Sequence, residues 1–126
     1  LADLIVVPTV PSALSMRGLR RVRHFLTRHR NVKHPPMLPV FSMVDRRRSL
    51  HKAALAQHPA WPTIAMASVI EQMAERREPL TAFAAGSAAR EGFRTLWAGI
   101  ERKLRAMGLV EPVARREAEE GVGAAV

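Results

Sequence analysis

The residues of this 126-residue chain that are able to do chemistry are grouped unevenly. Five histidines (24, 29, 34, 51 and 58) suggest a metal, yet none sits in ligand register with another. His24 and His29 are five apart, which puts them on different faces of a helix, and His51 and His58 have no nearby carboxylate. With no cysteine, a thiolate zinc site, a disulfide framework and a cysteine nucleophile are excluded. A Ser/His/Asp triad finds no Gly-x-Ser-x-Gly elbow to present its serine. Glycines at 18, 86, 92, 99, 108, 121 and 123 are scattered, so no Gly-rich loop cradles a phosphate.

Cationic side chains remain. Residues 1–60 carry 11 Lys and Arg against Asp3 and Asp45 alone, whereas residues 61–126 balance 9 against 9. Arg46, Arg47 and Arg48 are consecutive, and Arg20, Arg21, Arg23, Arg28 and Arg30 dot an earlier segment. A localised excess of this kind predicts a polyanionic partner, although a helix dotted with Arg is also an ordinary solvated face.

The elements that must position these groups follow from periodicity. Leu4 to Val7 is an apolar run closed by Pro8 and predicts a strand buried on both faces. After a cap at Ser12 or Ser15, Leu14, Leu19, Val22, Phe25 and Leu26 recur at helical spacing, with arginines on the other faces. Asn31 to Pro36 ends that helix. Leu38 to Val44 predicts a second strand, Ser49 to Gln57 a helix stopped near Pro59, and Thr63 to Ala65 a third strand. A short helix over Val69–Glu75 and a turn through Pro79 to Gly86 come next. The clearest helix follows Ser87, with Phe93, Leu96, Trp97, Ile100, Leu104 and Met107 in register and Gly108 as its stop. The expected fold class is α/β, with about three parallel strands and four helices. Residues 1–108 form the folded portion, and the polar, then Gly/Ala-rich residues 109–126 a loose tail.

The order of these segments resembles the ParA/Soj partition ATPases, a deviant P-loop class that also contains MinD. Ala2-Asp3-Leu4-Ile5-Val6-Val7-Pro8 looks like the family's "AD-apolar run-P" strand, and Leu14 with Arg17-Gly18-Leu19 like its following "A-L-x-G-L" helix start. Phe41 to Leu50 is similar to "T-M-apolar-D-x-R-x-x-L". Residues 65–83 run without a gap against a segment whose Pro and aromatic positions fall on Pro79 and Phe83. Ser87, Glu91, Phe93 and Leu96 fit the closing helix. The resemblance covers about residues 2–104 and rests on order and spacing.

It implies the C-terminal portion of a mainly parallel P-loop sheet, in an ATPase that dimerises around ATP and Mg²⁺. Such proteins bind DNA without sequence preference and are stimulated by a small ParB-like partner, in plasmid or chromosome partition or cargo positioning. The implied location is the bacterial cytoplasm, on the nucleoid. The phosphate loop and Mg-associated aspartates would lie upstream of Leu1, where the chain opens directly into a strand, so no catalytic residue is assigned here and no turnover is expected of this piece alone. Carried over residue by residue, the base side of the nucleotide site falls on Met43, Asp45, Ala65 and Met66. Ala65-Met66 stands where the family has Pro-Arg, which leaves backbone contacts to adenine but removes that arginine. Plain core filling is the alternative for both methionines, and helix capping for Asp45. DNA contact falls on Arg47, with Arg46 and Arg48 beside it, and the first helix's arginines would add to them. The family's second basic site has Met66 and Val69 here.

Two other readings stay open. A freestanding, non-enzymatic DNA- or protein-binding module would leave an open sheet edge that invites aggregation. A MinD-like membrane-associated ATPase would need a basic amphipathic C-terminal helix, whereas Glu111, Glu117, Glu119 and Glu120 mark this end as acidic. No membrane partner is expected.

Overall fold

A computed structural model describes residues 2–28 and 34–110. The element order is β1 (Ile5–Thr9), α1 (Ala13–Arg28), β2 (Met37–Val44), α2 (Ser49–Gln57), β3 (Thr63–Ala65), α3 (Ser68–Arg76), α4 (Leu80–Phe83) and α5 (Ala88–Ala106). The strands form one parallel sheet in the order β1-β2-β3. The fold is therefore α/β, as its alternation of strand and helix periods implies. Arg30, His29 and the residues from Glu111 onward lie outside the described residues.

β2 is the central strand, and Pro39 inside it would ordinarily remove a ladder donor. Its position avoids that loss. Phe41 N–H donates to the Pro62 carbonyl at 2.9 Å, so the odd-numbered residues of β2 point their backbone groups toward β3. Pro39 lies two residues before that pairing begins at Phe41 and Thr63, where no β3 partner waits for a proton.

Strand alternation sorts the side chains into two faces. On one face Phe41 is 0% exposed and packs at 4.9 Å between ring centroids against Trp61, which stacks on His58 at 3.9 Å. Thr9, Pro11 and Leu19 of α1 are buried on this side too. On the other face Val40 and Ile64 are buried, and α5 packs on β3. That helix comes close because Gly92 has no side chain: a Cβ there would stand 3.3 Å from the Thr63 carbonyl and 3.4 Å from Ile64 Cδ1.

Several expectations are corrected. The strand β1 is not closed by Pro8 but runs through it to Thr9. Nor is β1 buried on both faces, since Val6 and Pro8 are exposed: α5 packs on β3 and does not reach across to cover them. In α1 only Leu19 is fully buried; Leu14 is 76% and Phe25 62% exposed, because the helix rests on β1 along one narrow stripe. Ser12 is the residue that caps it, accepting the Ser15 N–H at 3.2 Å. The segment around Leu80 is not only a turn: it forms a single helical turn, α4, whose Phe83 ring receives the Arg76 guanidinium at 4.7 Å. This makes five helices among the described residues, against the four expected. For α5, Ser87 Oγ accepts the Arg90 N–H and Gly108 ends the helix at φ +74°, both as expected.

Two of the helical glycines, Gly18 and Gly92, should respond in opposite ways. Gly18, where an added methyl group would meet nothing within 4 Å, should gain roughly 0.5–1 kcal/mol on substitution to Ala. Gly92→Val should instead lower the melting temperature by pushing α5 off β3, and thermal denaturation of the two variants checks both signs.

Candidate functional site

In parallel α/β sheets, ligands bind beyond the carboxyl ends of the strands. Here a cavity of about 320 Å³ opens at that end, on the α5 face. Its size falls at the low end of the roughly 300–1,000 Å³ usual for small-molecule pockets. Val6, Val40 and Ile64 form the sheet side, Phe93 and Leu96 the α5 side, and Ile70 and Glu71 the α3 side. Apart from Ser42 and Glu71, the side chains around it are apolar. A flat, weakly polar ring suits such a lining.

Three of the four residues assigned to the base side border this one cavity: Met43, Ala65 and Met66. Local backbone geometry brings them there. Three steps along β2, from Phe41 to Val44, span what two steps of β3 span, from Thr63 to Ala65, so β2 carries an extra residue. Met43 takes up the excess in the left-handed region at φ +55°. Strict alternation would send Ser42 and Met43 to opposite faces, but the bulge lets both border the cavity. Met43 stays 53% exposed, so it is not the core filler that its apolarity suggests; Met66 is also exposed. The bulge closes with Met66 N–H donating to the Val44 carbonyl at 3.0 Å.

Asp45 is not brought to the cavity. Its carboxylate accepts the Arg47 backbone N–H at 3.0 Å and the Arg47 guanidinium at 3.0 and 3.2 Å. These bonds, the side-chain one foremost, hold the Asp45 carboxyl below its ordinary value and raise Arg47 in turn. Nor does Asp45 cap α2, whose N-cap is Arg48 without a side-chain bond. Instead it closes an Asx turn one step earlier, with Arg48 N–H returning to its carbonyl at 3.1 Å.

His51 has a structural role that spacing does not reveal, because its neighbours in sequence mark it only as a ligand without partners. It is 2% exposed, and its Nδ1 accepts the Asp45 N–H at 3.0 Å. In that bond Nδ1 is the acceptor, which leaves Nε2 as the ring nitrogen that carries a proton. The basic turn is thus tied at its root to the core, with Arg46, Arg47 and Arg48 all projecting into solvent. Arg47 is engaged by Asp45, while Arg46 and Arg48 have no acidic partner among the described residues.

Among the described residues no three His, Asp or Glu side chains gather as metal ligands would, and no helix is long and apolar enough to cross a membrane. The chain matches no protein-family model, no curated protein and no solved structure. What is defined is a class: a three-stranded parallel α/β unit with an apolar cavity at its carboxyl edge and a basic turn on the strand that borders it.

The bulge makes a test of its own. Met43→Gly should hold stability or raise it by up to ~1 kcal/mol by relieving the positive φ, whereas Met43→Ile should lower it by about 1–2 kcal/mol. Urea unfolding that found the isoleucine variant as stable as the glycine variant would contradict the bulge.

Proposed function

We propose that this chain is the base-side portion of a ParA-like partition ATPase, holding the adenine end of the nucleotide and part of a DNA-contacting surface. The observation that carries the reading is the convergence of Met43, Ala65 and Met66 on one apolar cavity at the carboxyl ends of three parallel strands. These positions follow from a resemblance in segment order, and 22 positions of chain separate Met43 from Ala65.

The residues present fit the base end of ATP. Val6, Val40 and Ile64 offer an apolar wall, and the two methionines offer polarizable, adaptable thioethers on which a purine ring packs. With the Met66 N–H already bonded to the Val44 carbonyl, polar recognition of the base would fall to Ser42, Glu71 and the remaining backbone groups beside Ala65. ATP, when bound, would supply the phosphate whose hydrolysis drives the cycle; the groups that hold its phosphates and Mg²⁺ belong to the upstream ATPase portion that the resemblance implies. This chain's own part is to seat the base and orient it, and it contributes no catalytic group.

Arg46 and Arg48 are the residues for DNA phosphate, since neither is committed to a carboxylate among the described residues. Arg47 serves mainly to fix the turn through Asp45. His51 holds that turn to the core, so phosphate contact on the arginines and base contact near Met43 load the same strand end. Dimerisation around ATP and stimulation by a small ParB-like protein complete the proposed cycle.

The test uses the intact ATPase with ATP and non-specific duplex DNA. Arg46→Glu with Arg48→Glu should abolish retention, and Arg46→Ala alone should reduce the slope of log affinity against log salt by about 1. Retention that is insensitive to salt, or unchanged by the double charge reversal, overturns the DNA part of the proposal.

A further inference from the structure

A second and larger cavity lies on the opposite face of the sheet, between α1 and α2. Its volume is about 570 Å³. Both helices line it but make little direct contact with each other, which leaves a trough instead of a packed seam. Met16, Leu19, Leu50, Ala53 and Trp61 give it an apolar floor and wall, and Leu50 is 69% exposed.

One rim is cationic. Arg17, Arg20 and Arg23 recur every three residues along α1, so their side chains form a ridge beside the trough. No carboxylate lines it, and none of the three arginines has an acidic partner among the described residues. The lining spans Ala13 to Arg23, about 15 Å of helix at 1.5 Å per residue, or close to three turns.

An apolar trough with a one-sided basic ridge fits one kind of occupant better than others. Nucleic acid would match the arginines but would leave Leu50 and Met16 against phosphate and sugar. A base has no free ring to stack on either, because Trp61 is covered by His58 on one side and Phe41 on another. A helical peptide with apolar residues at i, i+3, i+4 and i+7 fills the floor, and carboxylates along its flank meet the guanidinium row. We infer that the α1–α2 trough is a docking site for an acidic amphipathic helix of a partner protein. The trough lies on the other face of the sheet from the nucleotide cavity, and neither ATP nor DNA is needed for it to be filled.

The probe is a fluorescein-labelled three-turn peptide of Leu at those four positions and Glu elsewhere, titrated with the full chain and read by fluorescence anisotropy. Two controls accompany it, one with the Leu positions scrambled and one with Lys for Glu. Saturable binding of the acidic amphipathic peptide alone is expected. Arg20→Glu with Arg23→Glu, and separately Leu50→Asp, should each weaken it at least ~10-fold. All three residues are exposed, so folding is expected to survive, and circular dichroism verifies that it does.

Equal binding of the scrambled peptide, or indifference to Leu50→Asp, would mean mere charge attraction and overturn the proposal. Displacement of the peptide by duplex DNA, with DNA binding lost in the Arg20→Glu/Arg23→Glu variant, would give the ridge to nucleic acid instead. Binding seen only after Glu117→Lys, Glu119→Lys and Glu120→Lys would assign the trough to this chain's own C-terminal residues. Self-association abolished by Leu50→Asp would assign it to a second copy. Each of these three outcomes rejects a partner helix.

Discussion

The placement of β2 between two parallel neighbours is the constraint on which the rest of the molecule depends. Burial of Phe41 against Trp61 and His58 fixes that strand on one face, and burial of Val40 fixes it on the other, where α5 packs on the neighbouring β3. A fully buried aromatic contributes on the order of 3 kcal/mol of transfer free energy, before the cost of any cavity left by its removal. With the strand so held, its last residues have little freedom. The bulge at Met43, the Asx turn at Asp45 and the start of α2 follow within six residues, all anchored by the hydrogen bond from Asp45 N–H to buried His51.

This arrangement couples two chemistries at one strand end. Ahead of the bulge, apolar side chains from β1, β2, β3 and α5 enclose the cavity. Immediately after it, three arginines enter solvent, one of them used to close its own turn. A non-glycine residue in the left-handed region is costly, and such strain concentrates where function over-determines the backbone. Met43 has that conformation, and it borders the cavity.

Much of the fold is legible in the sequence, because each strand and long helix has its own period. The α2 and β3 boundaries agree with the apolar pattern to the residue, and Ser87 and Gly108 punctuate α5 as their chemistry requires. Burial is less legible. The pattern marks Leu14 and Phe25 as core because it records apolarity on a helix, not what lies opposite; only a narrow part of α1 meets β1. Likewise, Pro8 looks like a terminator until the register shows that the odd-numbered residues of β1 bond to β2, so the missing N–H of Pro8 costs that pairing nothing.

The site is partly legible for a related reason. Segment order points to Met43, Asp45, Ala65 and Met66, of which Asp45 does not border the cavity, and the bulge that brings Met43 there has no signature in the residue types, since a glycine or asparagine would be the usual choice. The roles of Asp45 and His51 depend on a tertiary hydrogen bond that spacing does not encode. The trough between α1 and α2 is likewise visible only once two separate helices lie on the same face.

The most direct measurement of the central claim is amide chemical-shift mapping of this chain with adenosine and, in parallel, uridine. A base-side nucleotide site predicts adenosine-dependent shifts clustered at Met43, Ala65 and Met66, with uridine far weaker and α1 and α2 unmoved. Shifts absent from that cluster, or equal for the two nucleosides, would contradict it.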